Sequence, residues 1–329
     1  MKRRSFLKKG AVAAAASLSI PALSLGAQRG ARGAEFARTS TDVEATIMVK
    51  GLPGPYTVLQ VSDSHISHDG EADEKYKTYS SRMGKAYPTV IHPKTKERVA
   101  PLAGFAAMME MAKESEVDFI ALTGDIVNYP STTAVEAVRK AVEATGIPYN
   151  YTAGNHDWHY EGMAGSADEL RAEWSEKGLK PLYNGGNPLY GSTLANGLNL
   201  VTIDNSTYQV NQEQLDFYRR QLSRPEPIVL FMHIPIYMPT LGAGSCGHPQ
   251  WGAAVDRGYE VERRERWPES GNSPTTVAFV KEVMATKRLT GIFVGHYHRS
   301  TAMSFNGIHQ YISGSAFNGQ YRLIRFLPL

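Results

Sequence analysis

Residues 56–65 read Tyr-Thr-Val-Leu-Gln-Val-Ser-Asp-Ser-His, a run of strand-forming residues followed by an aspartate and a histidine. The β-branched and aromatic side chains predict a strand over residues 56–61. The same arrangement recurs in four further apolar runs, each followed within a few residues by Asp, Asn or His: residues 118–122, 148–152, 227–232 and 290–294. In α/β sheets, ligands bind beyond the carboxyl ends of strands. The pattern therefore predicts binding loops at these strand ends.

Between the strands, apolar residues recur at the spacing of an amphipathic helix. This spacing predicts helices over residues 102–115, 132–144, 167–177, 212–222 and 275–285, and a further strand covers residues 198–203. After residue 300 the chain alternates in short runs separated by glycines, which predicts antiparallel strands between residues 301 and 326. Alternating strands and helices indicate the α/β class, and 329 residues are enough for one large domain.

The polar residues at the strand ends form the ligand set expected of a metal site. Carboxylate oxygens, imidazole nitrogens and an amide oxygen suit divalent ions such as Mn, Fe, Co or Zn. A Gly-Asp pair alone has no specificity, and a single histidine is more often a core residue than a ligand. The five segments together, in order and near strand ends, indicate the site: Asp63-Ser64-His65, Gly124-Asp125, Gly154-Asn155-His156-Asp157, His233 and Gly295-His296-Tyr297-His298.

The residue types assign different roles within such a site. A two-metal hydrolytic site holds its cations roughly 3.5–4 Å apart, and a bridging carboxylate screens their repulsion, a role that fits Asp125. Asn155 offers a neutral amide oxygen. His156 is too close in sequence to Asn155 to reach the same metal easily, so we predict that it transfers protons. Asp157 is then predicted to orient His156 as a supporting carboxylate.

In this order the motifs resemble those of the calcineurin-like metallophosphoesterases: Asp-x-His, Gly-Asp, Gly-Asn-His-Asp or Glu, a lone His, and Gly-His-x-His. The resemblance covers residues 56 to about 326. It implies a single domain in which two mixed β-sheets pack as a sandwich flanked by helices. It also implies two divalent metal ions, Mn, Fe or Zn, and an enzyme that hydrolyses phosphoric esters.

Carried over to this sequence, the resemblance implies a role for each ligand. Asp63, His65 and His298 would hold one metal, and Asn155, His233 and His296 would hold the other. Asp125 would bridge the two metals. His156 would protonate the leaving oxygen while a metal-bridging hydroxide attacks phosphorus.

Differences between this sequence and the ligand pattern of purple acid phosphatases narrow the choice of subfamily. Purple acid phosphatases place a tyrosine ligand where this chain has Asn128, and they lack the histidine that is present here as His65. A tyrosinate–iron site is therefore disfavoured. The expected reaction is hydrolysis of a phosphodiester or phosphomonoester of small size. The alternatives are a nucleotide pyrophosphohydrolase or nucleotidase, and an inactive binding protein of the same fold.

Two long stretches without clear periodicity, residues 66–100 and 234–274, each follow a ligand motif directly. Stretches of this length inside a domain are usually functional. We expect these insertions to cover the metals and to contact the substrate, although the arginines of residues 257–266 alternate with glutamates as on a solvated helix.

The N-terminus has the features of an export signal. Residues 2–8, Lys-Arg-Arg-Ser-Phe-Leu-Lys, resemble the twin-arginine consensus, and an apolar stretch of sixteen residues follows at 10–25. Because a helix needs roughly 20 residues to span a bilayer, no stable membrane anchor is expected. We predict a signal peptide over residues 1–27, a linker over 28–45 and the enzymatic domain over 46–329. The twin-arginine machinery would then be a partner, and the destination periplasmic or secreted.

The charge and the cysteine content argue against a nucleic-acid-binding protein, a protein of anionic membrane surfaces and a disulfide-bonded fold. The formal charge is +3, but residues 1–27 carry five basic residues and no acid, so the remaining chain has a charge of −2. A nearly neutral protein gives no electrostatic reason to expect binding to nucleic acid or to anionic membranes. Cys246 is the only cysteine, so no disulfide forms within the chain.

Overall fold

The structure, a computed structural model, describes residues 36–252 and 271–329. Within these ranges the strands are β1 (Phe36–Ser40), β2 (Glu44–Val49), β3 (Tyr56–Val61), β4 (Val90–Ile91), β5 (Arg98–Val99), β6 (Phe119–Thr123), β7 (Tyr149–Thr152), β8 (Tyr190–Ala195), β9 (Leu198–Ile203), β10 (Ile228–Phe231), β11 (Leu289–Val294), β12 (Thr301–Phe305), β13 (Ile308–Ile312) and β14 (Arg322–Pro328). The α-helices are α1 (Lys77–Met83), α2 (Pro101–Glu114), α3 (Thr132–Glu143), α4 (Ala167–Lys177), α5 (Gln212–Leu222) and α6 (Pro274–Ala285).

The strands form two six-stranded mixed sheets and a small hairpin of β4 and β5. Sheet 1 has the order β1-β2-β14-β3-β6-β7, in which β3, β6 and β7 are parallel neighbours. Sheet 2 has the order β12-β13-β11-β10-β9-β8, in which β13, β11, β10 and β9 run parallel. Parallel strands end at the same edge of a sheet, so each sheet collects several strand ends in one place.

The two sheets pack face to face through a buried apolar layer. Val58, Phe119 and Phe326 of sheet 1 belong to one hydrophobic cluster with Phe231 and Phe293 of sheet 2. All five side chains are at most 1% exposed. The expected sandwich of two mixed sheets is therefore confirmed.

Helices cover the outer face of each sheet. Successive strand residues point to opposite faces, so Leu59 and Ile120 pack against α2 and α3. Leu230 and Ile292 pack in the same way against α5 and α6. Near the strand ends, Gln60 Nε2 donates to Thr123 Oγ1 at 3.0 Å in its own sheet and to the carbonyl oxygen of Val294 at 3.1 Å in the other. This side chain ties the sheets together next to the edge where the ligand loops begin.

The chain between residues 28 and 45 differs from the predicted linker. From Phe36 onward it forms β1 and the start of β2. Residues 36–40 and 44–45 of the predicted linker are therefore strand. β2 is stabilised by pairing with β14, a partner almost 280 residues away that local composition does not reveal. Residues 28–35 and the predicted signal peptide lie outside the described residues.

The C-terminal strands are more varied than predicted. β12 and β13 form the expected antiparallel hairpin. β13, however, is parallel to β11, and β14 is antiparallel to β3 but parallel to β2. β14 thus lies inside sheet 1, between two strands from the start of the domain. Across the described residues, every helix is too short or too polar to cross a bilayer.

Candidate metal centre

All the predicted ligands lie where strands of the two sheets end. Asp63 and His65 follow β3, and Asp125 follows β6. The remaining ligands follow β7, β10 and β11: Asn155, His233, His296 and His298. The carboxyl ends of the parallel strands bring these side chains, up to 235 positions apart in sequence, to one edge of the sandwich.

One group of donors comprises Asp63, His65, Asp125 and His298, whose ligand atoms lie within 4.8 Å of one another. His298 Nε2 is 3.3 Å from Asp63 Oδ1, and His65 Nε2 is 3.2 Å from His298 Nε2. His65 Nε2 is also 3.8 Å from Asp125 Oδ2. Two imidazole nitrogens and two carboxylates thus face a common point, which is the arrangement that a cation requires.

A second group comprises Asp125, His233 and His296, again within 4.8 Å. His233 Nε2 lies 3.3 Å from Asp125 Oδ2 and 3.2 Å from Asn155 Oδ1. Asp125 belongs to both groups, as a carboxylate that bridges two metals must. The donor chemistry and its division into two groups therefore fit two divalent ions.

Five of the ligand residues have a left-handed backbone, an uncommon conformation for residues other than glycine. Their φ angles are 57° for Asp63, 45° for His65, 51° for Asp125, 71° for His296 and 54° for His298. Each such residue costs about 1–3 kcal/mol and persists only where the surroundings hold it. The reversed backbone turns Asp63 and His65, two positions apart, toward the same group of donors.

Backbone hydrogen bonds hold these turns in place. The N–H groups of Asp63 and His65 donate to the carbonyl oxygens of Gly124 and Asp125, at 3.0 and 2.9 Å. Gly154 packs so closely on the loop after β6 that a Cβ at this glycine would lie 2.2 Å from Asp125 Oδ1. The loop after β7 therefore admits only glycine at this position.

Asp157 supports the same turns through the main chain. Its wholly buried carboxylate accepts the N–H groups of Asp125 at 2.8 Å, Val127 at 2.8 Å and Gly154 at 2.7 Å. Burial and the charge of Asp125 raise the pKa of Asp157 to about 7. These contacts make Asp157 a support for the Asp125 turn, and its predicted orientation of His156 stays a prediction.

The imidazole of His233 is oriented by a backbone oxygen. His233 Nδ1 lies 2.8 Å from the carbonyl oxygen of Thr123, to which it donates its proton. Nε2 is then left to face Asp125 and Asn155. A metal-binding histidine usually donates its other ring N–H in this way, and the bond fixes both the tautomer and the ring orientation.

Electrostatics divide the four ligand histidines into two whose pKa is lowered and two whose pKa is raised. Burial lowers the pKa of His65 to about 3 and that of His296 well below its usual value. Burial alone would lower the pKa of His233 and His298 too. The charge of Asp125 nevertheless raises the pKa of His233 to about 9, and the hydrogen bond to Asp63 raises that of His298. His233 therefore carries a proton at neutral pH that a metal ion must displace, and the raised pKa of His298 acts in the same direction.

His156 lies on the open side of the donors. Its backbone N–H donates to Asp125 Oδ1 at 2.8 Å, and its ring centroid is 4.8 Å from that of His65. The ring lines a cavity of about 500 Å³ that reaches the ligands Asp125, Asn155, His296 and His298. His156 is therefore placed to exchange a proton with a molecule bound in this cavity.

Both insertions contribute to the cavity. The first supplies Met83, Ala86 and Tyr87, and the second supplies Gly244. The Tyr87 ring stacks on the ring of His65 with centroids 4.2 Å apart and planes inclined by 11°. The insertions therefore line the approach to the metal ligands as expected.

Two further residues line the cavity wall beyond His156: His159, whose place near a motif allowed a substrate contact without singling it out, and Glu161, to which the sequence gave no role. Glu161 Oε1 is 3.3 Å from Arg82 Nη2, and its carbonyl oxygen accepts from the same nitrogen at 3.1 Å. Only their spacing after the Gly-Asn-His-Asp motif could have indicated them, since residues just past a ligand loop tend to face the same cavity.

Comparisons with known proteins agree with this geometry. A family model described as calcineurin-like phosphoesterase matches residues 56–300. A "probable cyclic nucleotide phosphodiesterase" of Fibrobacter succinogenes is 25% identical over 205 residues, 61% of this chain and 65% of that protein. A protein of the same description from Psychrobacter arcticus is 27% identical over 105 residues, 32% of each. This chain thus matches less than two thirds of the length of either relative.

Solved structures extend the likeness to the fold. The crystal structure of a dimetal phosphatase from Danio rerio superposes on 82% of this chain and 91% of its own, with a TM-score of 0.50. The two sequences are 9% identical, so the likeness concerns the fold alone.

Proposed function

The chain belongs to the calcineurin-like phosphoesterase family, and we propose on that basis that it hydrolyses small phosphodiesters with two divalent metal ions. The observation that carries the proposal is the carboxylate of Asp125, which is shared by two groups of metal donors. The ions are Mn, Fe or Zn, whose preference for mixed oxygen and nitrogen ligands matches both groups.

Each ion has its own set of ligands in this proposal. Asp63, His65 and His298 hold one ion, Asn155, His233 and His296 hold the other, and Asp125 contacts both. Bound ions would supply Lewis acidity toward phosphoryl oxygens and activate water at neutral pH. The protein residues hold the donors in fixed positions, through the left-handed turns and the backbone bonds of Asp157.

His156 supplies the proton that a departing alkoxide needs. Its backbone is tied to Asp125 Oδ1, so the ring stays beside the ligands while facing the cavity. General acid catalysis of this kind contributes typically 10²–10⁴-fold to the rate. The effect is largest for leaving groups that are poor without protonation.

The cavity wall favours a diester over a substrate that carries a second phosphate. Glu161 places a carboxylate in the wall, and Arg82 is already paired with it. A further phosphate beside Glu161 would face a like charge, whereas Met83 and Tyr87 offer apolar and aromatic surface to an uncharged organic group. The two relatives from Fibrobacter succinogenes and Psychrobacter arcticus are named as probable cyclic nucleotide phosphodiesterases. Cyclic nucleotides are diesters with one negative charge and an aromatic base.

The test measures hydrolysis by the purified protein after loading with Mn, Fe or Zn. Bis-p-nitrophenyl phosphate, a diester, is compared with p-nitrophenyl phosphate, a monoester, and cyclic nucleotides follow. Asp125→Asn should abolish activity with little change in shape, while Asp216→Asn, at an exposed aspartate of α5, should leave it unchanged. Wild-type protein that binds two ions and cleaves no diester would refute the proposal.

We further propose export through the twin-arginine pathway to the periplasm or the medium. The support is the sequence of residues 2–8 and the apolar stretch that follows. Replacing Arg3 and Arg4 by lysine keeps the charge but removes the paired arginines. The variant should stay in the cytoplasm, as fractionation would show, and its unchanged export would refute the proposal.

A further inference from the structure

One buried residue outside the ligand set shares the backbone strain of the ligands. Among the described residues other than glycine, those that are buried with a positive φ are Asp63, His65, Asp125 and Tyr208. The first three of these residues are predicted metal ligands. Tyr208 has a φ of 65° and no exposed surface. A bulky residue in this conformation is a true outlier, so its surroundings must hold it for a reason.

The hydroxyl of Tyr208 reaches a predicted metal ligand. Tyr208 Oη lies 3.2 Å from His296 Nε2, and the two rings meet edge to face with centroids 5.5 Å apart. A neutral imidazole has one N–H and one lone pair. If Nδ1 binds a metal, Nε2 carries the proton and donates it to the tyrosine oxygen.

The turn that carries Tyr208 also holds the other histidine of the same group. Residues 204–208, which we call the β9 turn, follow β9 and are at most 9% exposed. Asn205 Oδ1 accepts the N–H groups of His233 at 3.3 Å and Ile234 at 3.0 Å, and Asn205 Nδ2 donates to the carbonyl oxygen of Ile234 at 2.7 Å. The N–H of Tyr208 closes the turn on the carbonyl oxygen of Asn205 at 2.7 Å.

The β9 turn is linked to the loop of the third ligand as well. Trp158 Nε1, three residues after Asn155, donates to Ser206 Oγ at 2.9 Å. The turn thus contacts the backbone of His233, the ring of His296 and the loop that carries Asn155. These are the ligands assigned to one metal, and β9 itself contributes no ligand to that set.

We propose that the β9 turn is the support of the metal held by Asn155, His233 and His296, and that Tyr208 is a positioning residue which sets Nδ1 of His296 toward that metal. The ring of Tyr208 fills the core as a phenylalanine would. The hydroxyl is the part that acts on the ligand, since its bond to Nε2 fixes the orientation of the imidazole. Losing it leaves the packing intact and frees the imidazole to rotate.

Tyr208→Phe tests the proposal because it removes one oxygen. The matched control is Tyr218→Phe on α5, which removes the hydroxyl of an equally buried tyrosine. That hydroxyl lies 3.0 Å from Thr286 Oγ1. Calorimetric titration of the metal-free proteins with Co²⁺ or Zn²⁺ gives the affinity of each ion. The visible absorption of the Co²⁺ forms reports the geometry at each site.

The expected result is selective. In Tyr208→Phe one ion should bind about 10- to 100-fold more weakly, the usual effect of losing such a support, while the other keeps its affinity. The cobalt absorption of one ion should change, and Tyr218→Phe should match the wild type. The second ion acts as an internal control, because a general folding defect would weaken both.

Two outcomes would overturn the proposal. One is uptake of both ions by Tyr208→Phe with wild-type affinity and an unchanged cobalt spectrum. The other is equal weakening of both ions together with a lower melting temperature of the metal-free variant, which would show a role in packing alone. The readout is independent of catalysis, so a protein that binds two ions but cleaves no ester would refute the proposed function and leave this inference standing.

Discussion

Gly124 is the position at which a single methyl group should damage the metal centre most. It joins β6 to Asp125 with a φ of +83°, a conformation that suits glycine. A Cβ at this position would lie 2.6 Å from the backbone nitrogen of Gly154 and 2.6 Å from His233 Nδ1. Ordinary contact begins at 3.4 Å, so these neighbours would have to move by about 0.8 Å.

The cost of Gly124→Ala has two parts. The left-handed backbone costs an alanine roughly 1–2 kcal/mol. Overpacking a tight site adds about 1–3 kcal/mol, because the Gly154 N–H is already tied to Asp157 and cannot move freely. The total is about 2–5 kcal/mol of unfolding free energy. Displacement of His233 would also break its 2.8 Å bond to the carbonyl oxygen of Thr123.

Gly51→Ala separates the two parts. Gly51 has a φ of +85°, and a Cβ there would meet no atom within 4 Å. This control should lose roughly 1–2 kcal/mol and keep both ions. Urea denaturation of the metal-free proteins gives the free energies, and metal analysis after dialysis gives the ion content. If Gly124→Ala matched Gly51→Ala in both measurements, the close approach described here would be wrong.

Three further changes test the centre from other sides. Asp157→Asn removes an acceptor from backbone N–H groups such as that of Val127, so it should lower the unfolding free energy by about 1–3 kcal/mol. Urea denaturation measures this change. A loss near zero would show that Asp157 does not support the turn at Asp125. Metal affinity should rise with pH, because His233 has a pKa of about 9, the pKa of His298 is also raised, and each must lose its proton to bind a metal. Calorimetry in two buffers should detect the released protons. A metal affinity that did not vary with pH would contradict this prediction. His156→Gln should reduce kcat by about 10²–10⁴-fold for alkyl diesters but much less for p-nitrophenyl esters, whose leaving group needs no proton. Equal losses of kcat for both kinds of ester would refute the role of His156 as general acid.

Local sequence was sufficient for the elements whose signals are local. The predicted bounds of β3, β9, α4 and α5 agree with the structure to the residue. The two helices begin with reciprocal caps in which Ser166 pairs with Glu169 and Asn211 with Gln214, and the chain carries these signals within four positions. The continuous apolar runs of the central strands were as clear.

Elements that depend on distant partners escaped prediction. β1 depends on its pairing with β2, and β2 in turn depends on its pairing with β14. β8 is exposed at three of its six residues and was not predicted as a strand. For such edge segments the deciding interaction is the ladder with a neighbour, and composition carries little of it.

The same division applies to the metal centre. The motifs named every residue of the two donor groups, because ligands need particular atom types at strand ends. The contact between Tyr208 and His296 spans 88 positions and belongs to no motif. The three backbone bonds of Asp157 likewise depend on how the loops after β6 and β7 lie against each other.

The position of β14 has a consequence for how the protein is made. β14 is inserted between β2 and β3, so sheet 1 stays split into two unconnected parts until residues 322–328 have left the ribosome. β3 carries Asp63 and His65 at its end, and its edge toward β2 remains unpaired until β14 has been synthesised. Contacts of such long sequence separation form slowly. The metal centre therefore cannot complete its fold before β14 is available, and until then the growing chain exposes an open strand edge that is a template for pairing with other chains.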